Sequence, residues 1–143
     1  MNSCDSIFVG SWSYRSFLND ANLKTQPDAL LFGSGTIAIT SADPALLQGT
    51  IGGTGWQLAL TGSRSYGNPM EIRFQGKGIV SGAEWIYAYV GWLVPAWPNG
   101  VDQQSAIVGS VVRVIPHPDT DAQGKPIIAP AGVVASWYAV KVA

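Results

Sequence analysis

Charge is the scarcest property of this 143-residue chain: Asp, Glu, Lys and Arg make up 12% of it, against 47% hydrophobic residues. That is about half the usual charged share, so little side-chain charge is available to cover a monomer's surface. Some apolar surface is therefore expected to be covered by another subunit. The formal net charge is −1 and no Lys/Arg run occurs, so the phosphate-neutralising patch that nucleic-acid binding requires is missing. Cysteine occurs once, as Cys4, and cannot form an internal disulfide. The opening MNSCDSIF lacks both the basic and the apolar regions of a signal peptide, and a cytoplasmic location is the default expectation. Apolar stretches are broken by Gly, Ser, Pro or a charge well before the ~18 residues a membrane helix needs, so no membrane partner is expected. Histidine also occurs once and glutamate only at Glu71 and Glu84. No cluster at metal-ligand spacing exists, and neither a metal nor a cofactor is expected.

Helical periodicity is missing too, since no window sustains apolar residues at i, i+3, i+4 and i+7. What the chain has is Gly (17), Pro (9) and β-branched residues, which suit short strands and tight turns. Eight strands are expected: Ile7–Leu18, Gly35–Ser41, Leu46–Gly52, Trp56–Arg64, Met70–Lys77, Trp85–Val94, Ala106–Ile115 and Gly132–Val142. In MEIRFQGKG, Met70, Ile72 and Phe74 face one way and Glu71, Arg73, Gln75 and Lys77 the other; Trp56, Leu58 and Leu60 repeat the pattern. Those strands have one wet face. In AIVGSVVRVI and GVVASWYAVKV both parities are largely apolar, which calls for cover on both sides. With no helices to provide it, the sixth to eighth strands are expected to pack against another copy of the chain, as a homo-oligomer.

Eight short strands with tight connections form a sandwich or a closed barrel, and closure removes the exposed edges. The fold class read from the sequence is all-β, a single eight-stranded antiparallel up-and-down β-barrel. One barrel domain is expected over residues 1–143, since there is neither an internal repeat nor a boundary. The segment Pro116–Gly132, with four prolines, is long enough to hide a return connection or to cover the barrel mouth.

The opening GSWSYRSFLN places Gly-x-Trp before inward polar residues, and LLQGTI, LALTG, EWIYAYVGWL and AIVGS follow in order. This pattern of strands, over most of the chain, resembles the calycin group of eight-stranded barrels, more particularly its avidin-like branch. The resemblance implies that Trp12 closes the barrel floor and that Tyr14 and Ser16 occupy pocket-lining positions. It also implies an oligomer. Where avidins place an inward Asn this chain has Tyr14, and their Trp-x-x-x-x-Gly-x-Asp-type ending is absent, so biotin is not the implied ligand.

Period-2 alternation independently puts Trp12, Tyr14, Ser16 and Leu18 on one face, so Tyr14 and Ser16 either orient a small polar ligand or only pack. In EWIYAYVGWLVPAWPNG the odd positions carry Trp85, Tyr87, Tyr89 and Trp97. Facing the lumen, this side stacks on a flat or aliphatic ligand or simply fills the barrel; facing outward, it forms a subunit interface. Trp97, in a proline-braced turn, is either a lid over the barrel mouth or a plug against a neighbour. Asp102, Gln103 and Gln104 read as solvated loop or rim groups. The only histidine, His117, lies between two prolines and reads as a surface loop residue; as a base it would need Asp119 or Asp102 beside it. Arg113 interrupts a strand with two dry faces and must find a partner. Glu84 is one, in a structural ion pair; a ligand carboxylate is the sharper alternative. Arg15 and Arg73 read as solvated.

No serine sits at a strand-to-helix elbow, and GTIGGTG lacks the Lys and helix of a phosphate loop. The leading expectation is a non-enzymatic barrel binding a small hydrophobic or aromatic ligand through Tyr14, Ser16, Tyr87, Tyr89, Trp97 and Arg113. Two alternatives stand beside it. One is a barrel enzyme of the isomerase or cyclase type, favoured if Arg113, a Tyr hydroxyl and a carboxylate or His117 converge in one cavity, since positioning alone removes ~7–11 kcal/mol of barrier. The other is a structural barrel plugged by its own aromatics.

Overall fold

In a computed structural model, which describes residues 7–43 and 46–142, the alternation of the middle strands becomes a buried and a wet face. Ile72 and Phe74 are buried while Arg73, Gln75 and Lys77 are exposed; Leu58 and Leu60 are buried between exposed Gln57, Ala59 and Thr61. Cys4, expected to make no internal disulfide, lies outside the described residues.

All eight expected strands form, as β1 (Gly10–Leu18), β2 (Leu31–Asp43), β3 (Leu46–Gly53), β4 (Trp56–Ser65), β5 (Glu71–Val80), β6 (Ala83–Leu93), β7 (Ala106–Arg113) and β10 (Val134–Lys141). Each pairs antiparallel with its neighbour, and β10 returns to β1, so the sheet closes into an eight-stranded barrel. The architecture is consistent with a calycin-like fold. A single helical turn, α1 (Pro27–Leu30), leads into β2, which begins four residues earlier than the alternation suggested. The proline-rich segment hides no return strand of the barrel. It forms a separate hairpin, β8 (His117–Thr120) and β9 (Pro126–Ala129). No helix among the described residues is long and apolar enough to cross a membrane.

Two local features show how the sequence permits closure. Ser81 and Gly82 both take positive φ, 51° and 82°, which gives the two-residue turn whose twist matches flanking antiparallel strands. On β7, a Cβ at Gly109 would stand 1.8 Å from the Val90 carbonyl oxygen, so β6 and β7 pack at a distance only glycine allows.

The parity that the sequence leaves open on β6 is resolved by pairing. Tyr87, Tyr89 and Gly91 are buried inward opposite Arg113, Val111 and Gly109, while Trp92 faces out opposite Val108. At mid-height the lumen is filled by Tyr14, Phe74, Tyr89 and Trp137; Phe74 and Tyr89 stack at 4.6 Å. Below them one end is closed by Trp12 and Phe8, both fully buried, with Trp12 Nε1 donating to the Phe8 carbonyl at 2.9 Å. Lys141 Nζ donates to the Ile7 and Val9 carbonyls and lies 5.0 Å from the Trp12 ring, clamping that closure. The outer face of β6, β7 and β10 carries Trp92, Val108, Val134 and Tyr138, each more than a third exposed.

Candidate functional site

The opposite end of the barrel is open. There the end of β1, the starts of β2, β4 and β6 and the end of β7 surround a partly enclosed cavity of about 170 Å³. Its walls are Tyr14, Phe32, Gly33, Trp56, Trp85, Tyr87 and Tyr89, with Arg113, His117 and Asp119 as its ionisable groups other than tyrosine. The odd-numbered aromatic face of β6 thus supplies three wall residues, and the β8–β9 hairpin folds over the rim to supply two more.

His117 is not the surface loop residue its flanking prolines suggest: it is 2% exposed. Its ring stacks on Trp85 at 4.0 Å and 16°, and Trp85 stacks in turn on Trp56 at 6.5 Å. His117 Nε2 lies 2.7 Å from the Tyr87 hydroxyl and Nδ1 lies 2.9 Å from the Pro118 carbonyl. A carbonyl only accepts, so Nδ1 donates to Pro118, and in the neutral ring Nε2 is left to accept the Tyr87 O–H. Arg113 Nε donates to the same Tyr87 oxygen at 2.9 Å. Arg113, Tyr87 and His117 therefore form one directional chain of hydrogen bonds across 30 residues of sequence.

Arg113 also departs from its expected ion pair. Glu84 points outward and meets Lys77 at 3.9 Å, because even positions of β6 face away from the lumen while Arg113 faces into it. The guanidinium instead donates from Nη1 to the Pro130 carbonyl at 3.1 Å and lies 5.0 Å from the Phe32 ring. Arg15 and Arg73 are exposed on the outer faces, as their parity requires.

Deeper in, Tyr14 and Ser16 are buried on the inward face of β1. The Tyr14 ring meets the Tyr89 ring edge-on at 6.1 Å, and Ser16 Oγ donates to the Gly33 carbonyl at 3.3 Å. Burial pushes the Tyr14 hydroxyl up to about 12 and holds Tyr89 well above the ordinary phenol value. Tyr87 is raised as well; burial outweighs the opposing pull of the Arg113 charge and hydrogen bond. The inward hydroxyls thus serve as neutral donors and acceptors at physiological pH.

Of the six residues picked from the sequence, Tyr14, Tyr87, Tyr89 and Arg113 line the cavity, and Ser16 lies just behind Tyr14. Trp97 does not join them. It follows β6 at the closed end, 74% exposed, while its backbone N–H and C=O are gripped by the Gln103 side chain at 2.6 Å each. Gln103 is thus a clamp within the loop, and the positive φ of that loop falls at Asp102. Phe32, Gly33, Trp56, Trp85, His117 and Asp119 complete the lining and are not among those six. Trp56 was within reach, because it shares parity with buried Leu58 and Leu60 at the same strand's start. Among the described residues no three His, Cys, Asp or Glu side chains gather to hold a metal.

The His117 contacts predict a local effect. His117→Ala removes the stack on Trp85 and one of the two hydrogen-bond partners of the Tyr87 hydroxyl, together about 1–3 kcal/mol of docking. Amides of 117–129 should then exchange about fivefold or more faster while β4 and β5 keep their protection, as hydrogen exchange read by mass spectrometry will show. Uniform acceleration of all strands would mean that His117 supports the whole barrel rather than the hairpin. No family model, curated protein or solved structure matches this chain.

Proposed function

We propose that this protein is a small-molecule-binding barrel whose site is the aromatic cavity at the open end. The observation that carries the reading is the convergence of six aromatic rings from four strands with Arg113 and the buried Tyr87–His117 hydrogen bond, at a place where the lumen is not filled. Pockets for small ligands are mostly apolar with a few fixed polar groups, and this one has that composition. Trp85 Nε1 adds support: it is buried with no hydrogen-bond partner among the described residues, an unusual cost in a closed core. The size suits a small hydrophobic or aromatic ligand, since a cavity of about 150 Å³ holds benzene. The aromatics plug the barrel only at mid-height, which sets this reading above a purely structural role. Within calycin-like folds, buried Trp12 at the closed end supports the avidin-like branch as our placement.

Gly33 offers a clean test. A Cβ there meets nothing closer than Ser16 Oγ at 3.4 Å, so Gly33→Leu grows into the cavity from a tolerant position. Tryptophan fluorescence should respond saturably to at least one of benzamide, nicotinamide, benzoate or cyclohexanol, and Gly33→Leu should abolish the response. A response that survives the plug, or none from any probe, would sink the reading. The outer face of β6, β7 and β10, apolar and uncharged across Trp92, Val108 and Tyr138, supports self-association as a companion proposal. Native mass spectrometry of the purified protein reads subunit number and retained ligand together.

A second reading as an isomerase- or cyclase-type barrel is favoured by one observation: Arg113, a Tyr hydroxyl and His117 do share the cavity. Both ring nitrogens of His117 are already engaged, by Tyr87 and Pro118, which is why binding stands first.

A further inference from the structure

Arg113 is held as few surface arginines are. It projects inward from the end of β7, is opposed across the ladder by Tyr87, and lies near the Phe32 and Tyr87 rings at 5.0 and 5.7 Å. Two of its five N–H donors are spent, Nε on the Tyr87 hydroxyl and one Nη1 hydrogen on the Pro130 carbonyl, which leaves three without a protein partner among the described residues. No carboxylate of the described residues pairs with it. The acidic side chain nearest in function, Asp119 on the same cavity wall, accepts from the Thr120 N–H at 2.8 Å and makes no ion pair with Arg113. A guanidinium fixed at one edge, flanked by rings and lacking a counter-charge, is arranged to receive an anion from the cavity side.

The rest of the cavity restricts which anion. One cation faces it, with Asp119 on the same wall, so a doubly charged phosphate would meet one attractive and one repulsive charge; a monoanion suits the balance. The remaining Nη1 and Nη2 hydrogens are donors enough for both oxygens of a carboxylate. About 170 Å³ between Phe32, Trp56, Trp85 and Tyr89 leaves room for one ring beyond the carboxylate. We propose that the ligand of this cavity is a small planar carboxylic acid of the one-ring aromatic or heteroaromatic class, its carboxylate on Arg113 and its ring among the wall aromatics. The assignment rests on the cavity being a binding site and adds the charge and size of what it takes. Tyr87 and Pro130 act as positioning groups, fixing the guanidinium before the ligand arrives and so lowering the ordering cost of binding.

Benzoate and benzamide, equal in size and different in charge, test it by calorimetric titration of the unmodified protein near neutral pH. Benzoate should bind at least about tenfold tighter, the size of effect expected for charge-assisted hydrogen bonds. Arg113→Gln should bring the two probes within about threefold of each other, chiefly by weakening benzoate. Because Arg113 also ties the hairpin's exit to the barrel, Arg113→Lys serves as a second variant; it keeps the charge and should keep part of the preference. Equal affinity in the unmodified protein, or a preference that survives Arg113→Gln, overturns the assignment and leaves the cavity reading intact. Failure of both probes to bind overturns the assignment as well, and the Gly33→Leu fluorescence comparison then reports separately on whether the cavity binds anything.

Discussion

Trp137→Ala should remove about 3–5 kcal/mol of stability, the range for truncating a buried tryptophan. Trp137 is 2% exposed, and its ring touches Tyr14, Phe74 and Tyr89 with centroids at 5.9, 6.1 and 6.0 Å. Its Nε1 donates to the Ser110 carbonyl at 2.9 Å, so alanine also removes that hydrogen bond. The indole occupies the space that Gly91 leaves, since a Cβ there would stand 2.6 Å from its ring. No neighbouring side chain can swing in to fill the loss, because Phe74 and Tyr89 are already stacked on each other. Urea unfolding should show a midpoint shift in Trp137→Ala and a change within about 0.5 kcal/mol in Trp97→Ala, whose ring is exposed. Equal losses at the two positions would contradict the assignment of Trp137 to the centre of the core.

Alkaline pH should destabilise the barrel through three inward tyrosines. Burial raises Tyr14 to about 12, Tyr89 well above its ordinary value and Tyr87 in the same direction. In the unfolded chain these hydroxyls ionise near pH 10. Above that value the unfolded state holds fewer protons than the folded one, so unfolding becomes progressively easier. The contribution is fully present below about pH 10 and is lost as pH rises through the folded values; for Tyr14 alone it is about 3 kcal/mol. Lys141, lowered by desolvation, acts in the opposite sense, but it is one shallowly buried group against three hydroxyls. Denaturant midpoints followed upward from pH 9 should fall steeply above about pH 10, with tyrosinate absorbance rising together with unfolding. A flat profile there, or ionisation of all the tyrosines before unfolding, would mean that the lumen is wetter than its geometry implies.

The middle of the barrel was legible because its strands have one wet face. With Arg73, Gln75 and Lys77 outside, Ile72 and Phe74 had only one place to go. Tyr14 and Ser16 were legible for the same reason, alternating with the exposed Ser13 and Arg15 on β1. β6 was different, because Trp92, Val90 and Ala88 are as apolar as the aromatic face they alternate with, and period 2 cannot choose between two dry sides. Trp97 was misplaced because a parity that holds on the strand stops at Leu93, and the loop that follows belongs to the other end.

The amino-acid sequence by itself determined the all-β class and the eight barrel strands, because strand alternation and turn residues are local properties. It also determined that an unpaired guanidinium on the apolar β7 would need an answer. Only the tertiary structure decided what that answer is. Arg113 meets Tyr87 because β6 and β7 pair in one register, and Tyr87 meets His117 because a proline-rich hairpin docks over one end of the barrel. Neither contact leaves a trace in spacing along the chain, since both depend on closure and docking, which sum many weak contacts across the whole fold.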